Sequence, residues 1–153
     1  MSDISLDSMM LCREDDKVYG VLNDMDLAVS IGVTIASLKQ HTGSKPFMAI
    51  NLLWPDPPVH MYCHDLESMF YVLVWITSRF NNGKELIEPP LQEWVDLGGM
   101  ALIKEKNLFI MSVLLPPTSE FDALGRWVVS LQTMIRDGFS VRTKYRSELT
   151  IAN

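Results

Sequence analysis

Asp24 and Asp26 stand either side of Met25, directly after the apolar run Gly20-Val21-Leu22 and Asn23. Carboxylates at the lip of a strand are hard oxygen donors of the kind Mg²⁺ selects. One chemistry for such a pair is the D-x-D of haloacid-dehalogenase-type phosphatases. That class also needs a later Lys and an acidic pair after a second strand of a parallel sheet, and no βαβ series follows here. The bland alternative is a turn in which each Asp bonds its own backbone. A second group of chemistry-bearing residues is His60, Cys63 and His64. Three ligands within five residues, with only His41 as a further histidine, do not give the spacing of a structural zinc site. They read as loop leading into a helix.

The elements that must position Asp24 are short. Met9 to Arg13 and Lys17 to Asn23 are β-prone runs around the polar turn Glu14-Asp15-Asp16, which predicts a hairpin. Thr34 to Ser44 is irregular and rich in hydroxyls. Pro46 can open a short helix over FMAINLLW. WPDPPVH, with three prolines in seven residues, predicts an extended connector. His64 to Phe80 is the strongest helix, with Asp65 as cap or first-turn acid and apolar residues round most of its circumference. Leu91 to Lys106 reads as helix broken at Gly98-Gly99. Thr118 to Arg136 reads as a helix with an apolar stripe at Phe121, Leu124, Trp127, Val128, Leu131, Met134 and Ile135, stopped by Gly138. Strands come first and helices follow, so the fold class is mainly α, of the α+β type, with a small β-hairpin.

Composition narrows the functions. A chain of 153 residues is one domain by length and can bury a real core. Its net charge of −6 and the lack of a basic stripe argue against nucleic acid. The basic run Arg142 to Arg146 reads as a solvated tail. The longest greasy run, Met69 to Ile76, is too short to span a bilayer, so no membrane role is expected. Cys12 and Cys63 form no C-x-x-C pair, and MSDISLDSMM has neither a basic nor an apolar leader region, which together point to an intracellular compartment. With 48% apolar residues, the chain is greasy for its size and hints at a missing wall or partner.

A third reading of Asp24 rests on order. In protein kinases the magnesium-binding Asp follows a strand, after a catalytic loop H-R-D-L-x-x-x-N and a hairpin, and before an activation segment and A-P-E. Met1 to Ser8 fits the catalytic loop, with Asp3 at its Asp and Ser8 at its Asn. The hairpin and Asn23-Asp24-Met25-Asp26 come next, then Gly43 to Asn51 at the Gly-Thr-Pro to A-P-E position, then His64 to Ile76 at the buried, Asp-led helix. In these four ordered blocks, over roughly residues 1–80, the chain resembles the fungal-type protein kinase family. Its members carry runs similar to GVLNDFDLA, RTGTKPFMA and HDLESFFYVLLWI. The resemblance implies ATP, Mg²⁺ and a protein hydroxyl substrate. It implies that Asp3 accepts the substrate proton, Ser44 orients Asp3, Asp24 chelates Mg²⁺ with Ser8 at the second ligand position, and Asp65 anchors the catalytic loop from below.

The chain also departs from that pattern. It has no G-x-G-x-x-G turn and no V-A-I-K lysine, so the N-lobe is expected to be absent. Met1 and Ser2 replace His and Arg, Ser8 is a shorter ligand than Asn, and Asn51 replaces the acid of A-P-E, so its usual buried ion pair cannot form. The expected architecture is a single kinase-like C-lobe. It comprises catalytic loop and hairpin (1–23), activation segment (24–51), helical body (64–136) and tail (139–153). The expected function is that of an inactive kinase fragment. The alternative is a protein-interaction module, or a remnant that self-associates through apolar surface left bare.

Overall fold

Helix α1 (Tyr62–Arg79) organises the fold. The computed structural model describes residues 4–23, 44–112 and 115–151. No Gly or Pro interrupts α1, Asp65 lies in its first turn and Arg79 in its last, and both charges complement the helix dipole. Phe70, Tyr71, Val72, Val74 and Trp75 are all buried, so the helix is covered on more than one side. One stripe stays open: Tyr62, Leu66 and Met69, at i, i+4 and i+7, are exposed.

Ahead of α1, strands β1 (Met9–Glu14) and β2 (Lys17–Leu22) pair antiparallel in the register Met9 with Leu22 through Glu14 with Lys17. Asp15 turns the chain with φ 52°, a left-handed conformation that Asp tolerates better than most side chains. A second, two-residue hairpin, β3 (Phe80–Asn81) and β4 (Lys84–Glu85), follows α1 directly. Its loop, Asn82-Gly83, has positive φ at both positions, as a tight hairpin turn requires.

The body is then closed by α2 (Glu93–Asp96), α3 (Gly99–Ser112) and α4 (Gly125–Ile151). Gly99 takes φ 54° at the break between α2 and α3, as the Gly98-Gly99 pair predicts. Trp94 is the hinge of an aromatic chain through the core. It meets Tyr71 and Phe109 edge-on, with centroids 5.1 and 5.2 Å away. Phe47 meets Trp75 edge-on at 5.4 Å. Gln132 of α4 donates to the carbonyl of Phe109 at 2.8 Å and so satisfies the end of α3, whose last carbonyls have no partner within the helix. The backbone N–H of Thr118 donates to the Thr77 carbonyl at 2.8 Å, fastening the approach to α4 onto the end of α1.

Element boundaries differ from the sequence expectation: α1 is shifted to Tyr62–Arg79 from the expected 64–80, α3 runs to Ser112 past the expected Lys106, and two further elements differ more. The helix placed over FMAINLLW is a single 3-10 turn, Ile50–Leu53. An α-helix from Pro46 would bring the Ile50 N–H to the carbonyl four residues back. Glu67 takes that N–H instead. The helix expected over 118–136 is a 3-10 turn at Ser119–Leu124 followed by α4, which runs through Gly138 to Ile151. The core-facing series Val128, Gln132, Ile135 and Phe139 passes straight across Gly138. Burying Phe139 is worth about 1.5–3 kcal/mol, more than the ~1 kcal/mol that a mid-helix Gly costs. In the same stripe Trp127 and Met134 prove exposed, and Gln132 and Phe139 are buried in their place.

Candidate functional site

The loop from Ile4 to Ser8 is set into the body, although the hairpin it leads to is exposed. Ile4, Ser5 and Ser8 are all buried. Ser8 closes the loop on itself: its hydroxyl donates to the Ser5 carbonyl and accepts the Ser5 N–H, both at 2.9 Å. The Ser8 carbonyl accepts the Asn23 N–H at 2.7 Å. The two ends of the hairpin are thereby tied together, and the residue before Asp24 is fixed to the loop after Asp3. Asp3 and Asp24 themselves, with Asp26 and the stretch 24–43, lie outside the described residues.

The second half of the site begins at Ser44, which is half-buried. Its carbonyl accepts the N–H groups of Phe47 and Met48 at 2.9 and 3.2 Å, turning the chain at Pro46. Phe47, Ala49, Ile50 and Leu52 then point into the core. Asn51 is half-buried beside them. Asp65, also half-buried, accepts a hydrogen bond from Nε2–H of His60 at 2.8 Å. His64 is fully buried, and its Nδ1 accepts the Met61 N–H at 3.1 Å, which places the ring proton on Nε2. His60, Cys63 and His64 thus serve the entry to α1. Among the described residues no three His, Cys, Asp or Glu side chains gather as a metal cluster, and no helix is long and apolar enough to cross a membrane.

Two charged residues beneath the 44–53 stretch escaped the sequence reading. Glu67, fully buried in α1, accepts the Ile50 N–H at 2.7 Å and the Tyr71 hydroxyl at 2.8 Å on one oxygen. Lys106, fully buried in α3, donates to the Met48 carbonyl at 2.6 Å. Its ammonium lies 4.0 Å from the centre of the Tyr71 ring and 5.1 Å from that of Trp94. Loss of water on burial lowers the Lys106 pKa from 10.5 to about 7, and the negative charge of Glu67 opposes the fall. A signal for both was present. Lys106 interrupts the apolar series Leu102, Ile103, Phe109, Ile110, and Glu67 lies one turn before Tyr71 on the same helix face.

A family model described as fungal protein kinase matches residues 1–77. That span is half of the chain and takes in both the closed loop at Ser8 and the carboxylate at Glu67. The chain belongs to the fungal protein kinase family. At family level this means kinase-type function, with ATP, Mg²⁺ and protein substrates. No curated protein and no solved structure matches the chain.

Proposed function

We propose that the chain is the C-lobe of a fungal-type Ser/Thr kinase that does not complete phosphoryl transfer. Asp3 would accept the substrate proton, with Ser44 orienting it and Asp65 holding the loop from below. Asp24 would hold Mg²⁺, which would supply charge neutralisation at the ATP phosphates. The observation that carries the reading is Ser8. At the position of the second magnesium ligand stands a buried hydroxyl already engaged with Ser5 as donor and acceptor. Phosphoryl transfer is mostly positioning and charge stabilisation, so a metal lacking one fixed oxygen loses much of both. By contrast, the 44–53 stretch, the part that would face a protein substrate, is bound from beneath by two helices.

The test is thermal unfolding with and without excess Mg-ATP, for the native chain, Asp24→Ala and Ser8→Asn. A ligand at about 100 times its Kd stabilises by about 2.7 kcal/mol, or roughly 5–10 °C in a domain of this size. The native chain is expected to show no shift. A shift of that size, lost in Asp24→Ala, would overturn the proposal. A shift seen only in Ser8→Asn would locate the defect at that hydroxyl.

A second reading, docking of a protein partner or a second copy, draws on the open stripe of α1. Tyr62 is 73% exposed, and Val59 and Met61 extend the apolar surface beyond the start of the helix. Sedimentation at rising concentration tests the second-copy form of this reading. A monomer at all concentrations removes self-association.

A further inference from the structure

In the reading above Lys106 only fastens the 44–53 stretch from beneath, and the surroundings of its buried amine are unusual. It is covered by backbone on one side and by two aromatic rings on another. The 3-10 turn Ile50–Leu53 packs on α3, so the 48–53 stretch forms the lid over the amine. Two hydrogen bonds hold that lid: Lys106 to the Met48 carbonyl, and the Ile50 N–H to Glu67. Lifting the stretch breaks both bonds together and lets water reach the amine.

Among the described residues the charged groups around Lys106 are few. Helix α1 brings Glu67 and the Tyr71 hydroxyl, and α2 brings the neutral indole of Trp94. The lid brings a carbonyl, and Lys45, three residues before it, is exposed and lies beside Gly98. Helix α4 presents the neutral Gln132 to α3. On α3 itself Lys104 is exposed and Glu105 half-buried.

We propose that Lys106 makes the 48–50 backbone a proton-sensitive latch, closed more firmly when the amine is neutral and released toward water when it is charged. The direction follows from linkage. With the lid closed, Lys106 holds its proton only up to a pH of about 7, whereas in water it holds it to 10.5. Between those values the open state binds more protons than the closed one, so closure strengthens as pH rises through the window. Below about 7 both states are charged, and the burial penalty is complete and constant. The latch does not depend on the kinase reading: it holds whether or not ATP binds.

The experiment is amide hydrogen exchange of Ile50 between pH 6 and 9, corrected for the intrinsic rate, in the native chain and in Lys106→Met. The expected result is flat protection below pH 7 and a rise of up to tenfold per unit above it. In Lys106→Met, which removes the proton and keeps the bulk, the profile is flat throughout. Protection that does not change with pH in the native chain, or an equal slope in the variant, overturns the latch. Should Lys106→Met fail to fold, the native chain decides: Ile50 protection that begins to rise at the pH where the Lys106 ¹³Cε shift has its midpoint, near 7, supports the proposal, and flat protection or a midpoint near 10 ends it.

Discussion

The first hairpin and all but the last two residues of α1 fall inside the family match, and they sit in the protein in opposite ways. Every residue from Met10 to Val21 is exposed, Leu11 to 80%. In α1, Tyr71 is fully buried and Trp75 nearly so. A two-stranded hairpin is marginal in water by itself. This one is held at its stem, by the bond from Asn23 to Ser8 and by the buried residues Ile4, Ser5 and Ser8 of the preceding loop. Helix α1 is held along its length, largely by Trp94, Phe109 and other residues that follow the matched span. The kinase-like motifs and the packing that supports them therefore come from different stretches of the chain. Stability should concentrate where the family match ends.

The strongest way to break that contrast is Trp94→Ala. The ring is 2% exposed and joins Tyr71 to Phe109. Its loss should cost about 3–5 kcal/mol in denaturant unfolding, enough to unfold a marginal domain. A cost under 1 kcal/mol would mean that α1 does not depend on the later helices. Next is Arg79→Met. The guanidinium is buried at the end of α1, 3.7 Å from the Trp75 ring centre, and donates to Glu85, to the Pro90 carbonyl and to Gln92. Glu85 is half in solvent, which lowers the worth of that pair, so a loss of about 1.5–3 kcal/mol is expected.

Lys106 sharpens the comparison through pH. A base whose folded value is lowered carries its full penalty below about pH 7 and sheds it as pH rises toward 10.5. Unfolding free energy should therefore grow by up to about 1.4 kcal/mol per unit from pH 7 to 9. In Lys106→Met that component should vanish. Equal slopes in the two proteins would remove Lys106 from the pH dependence of stability.

How much of this was legible follows the same division. The hairpin, the break at Gly98-Gly99 and Asp65 as a first-turn acid of α1 are local features, written in turn residues, caps and periodicity, and the structure has them, although α1 begins at Tyr62, two residues before the expected His64, and Met61 is its cap. The second hairpin was equally local. Asn82-Gly83 is a strong turn signal, overlooked because only two residues pair on each side. The rest needed tertiary facts. Gly138 is a helix stop only if nothing beyond it is buried, and Phe139 is. Pro46 opens an α-helix only if the Ile50 N–H has no better acceptor, and Glu67 supplies one. Of the candidate site, motif order proposes Ser8, Ser44 and Asp65, while Asp3 and Asp24 lie outside the described residues. Glu67 and Lys106 could not be found by motif, since their roles come from helices joined across the core.

The smallest expected effect is the most exacting test of the contrast. Leu11→Thr replaces an exposed apolar residue on β1 with one of good strand propensity, paired across from Gly20. A solvated position should change stability by no more than about 0.5 kcal/mol in either direction, and solubility should improve. The measurement is denaturant unfolding at two protein concentrations tenfold apart. A loss above about 1 kcal/mol that grows with concentration would mean that the hairpin is covered in solution by another copy. A loss of that size independent of concentration would mean that Leu11 is buried within the chain's own fold. Either result would end the distinction between a hairpin held at its stem and a helix held along its length.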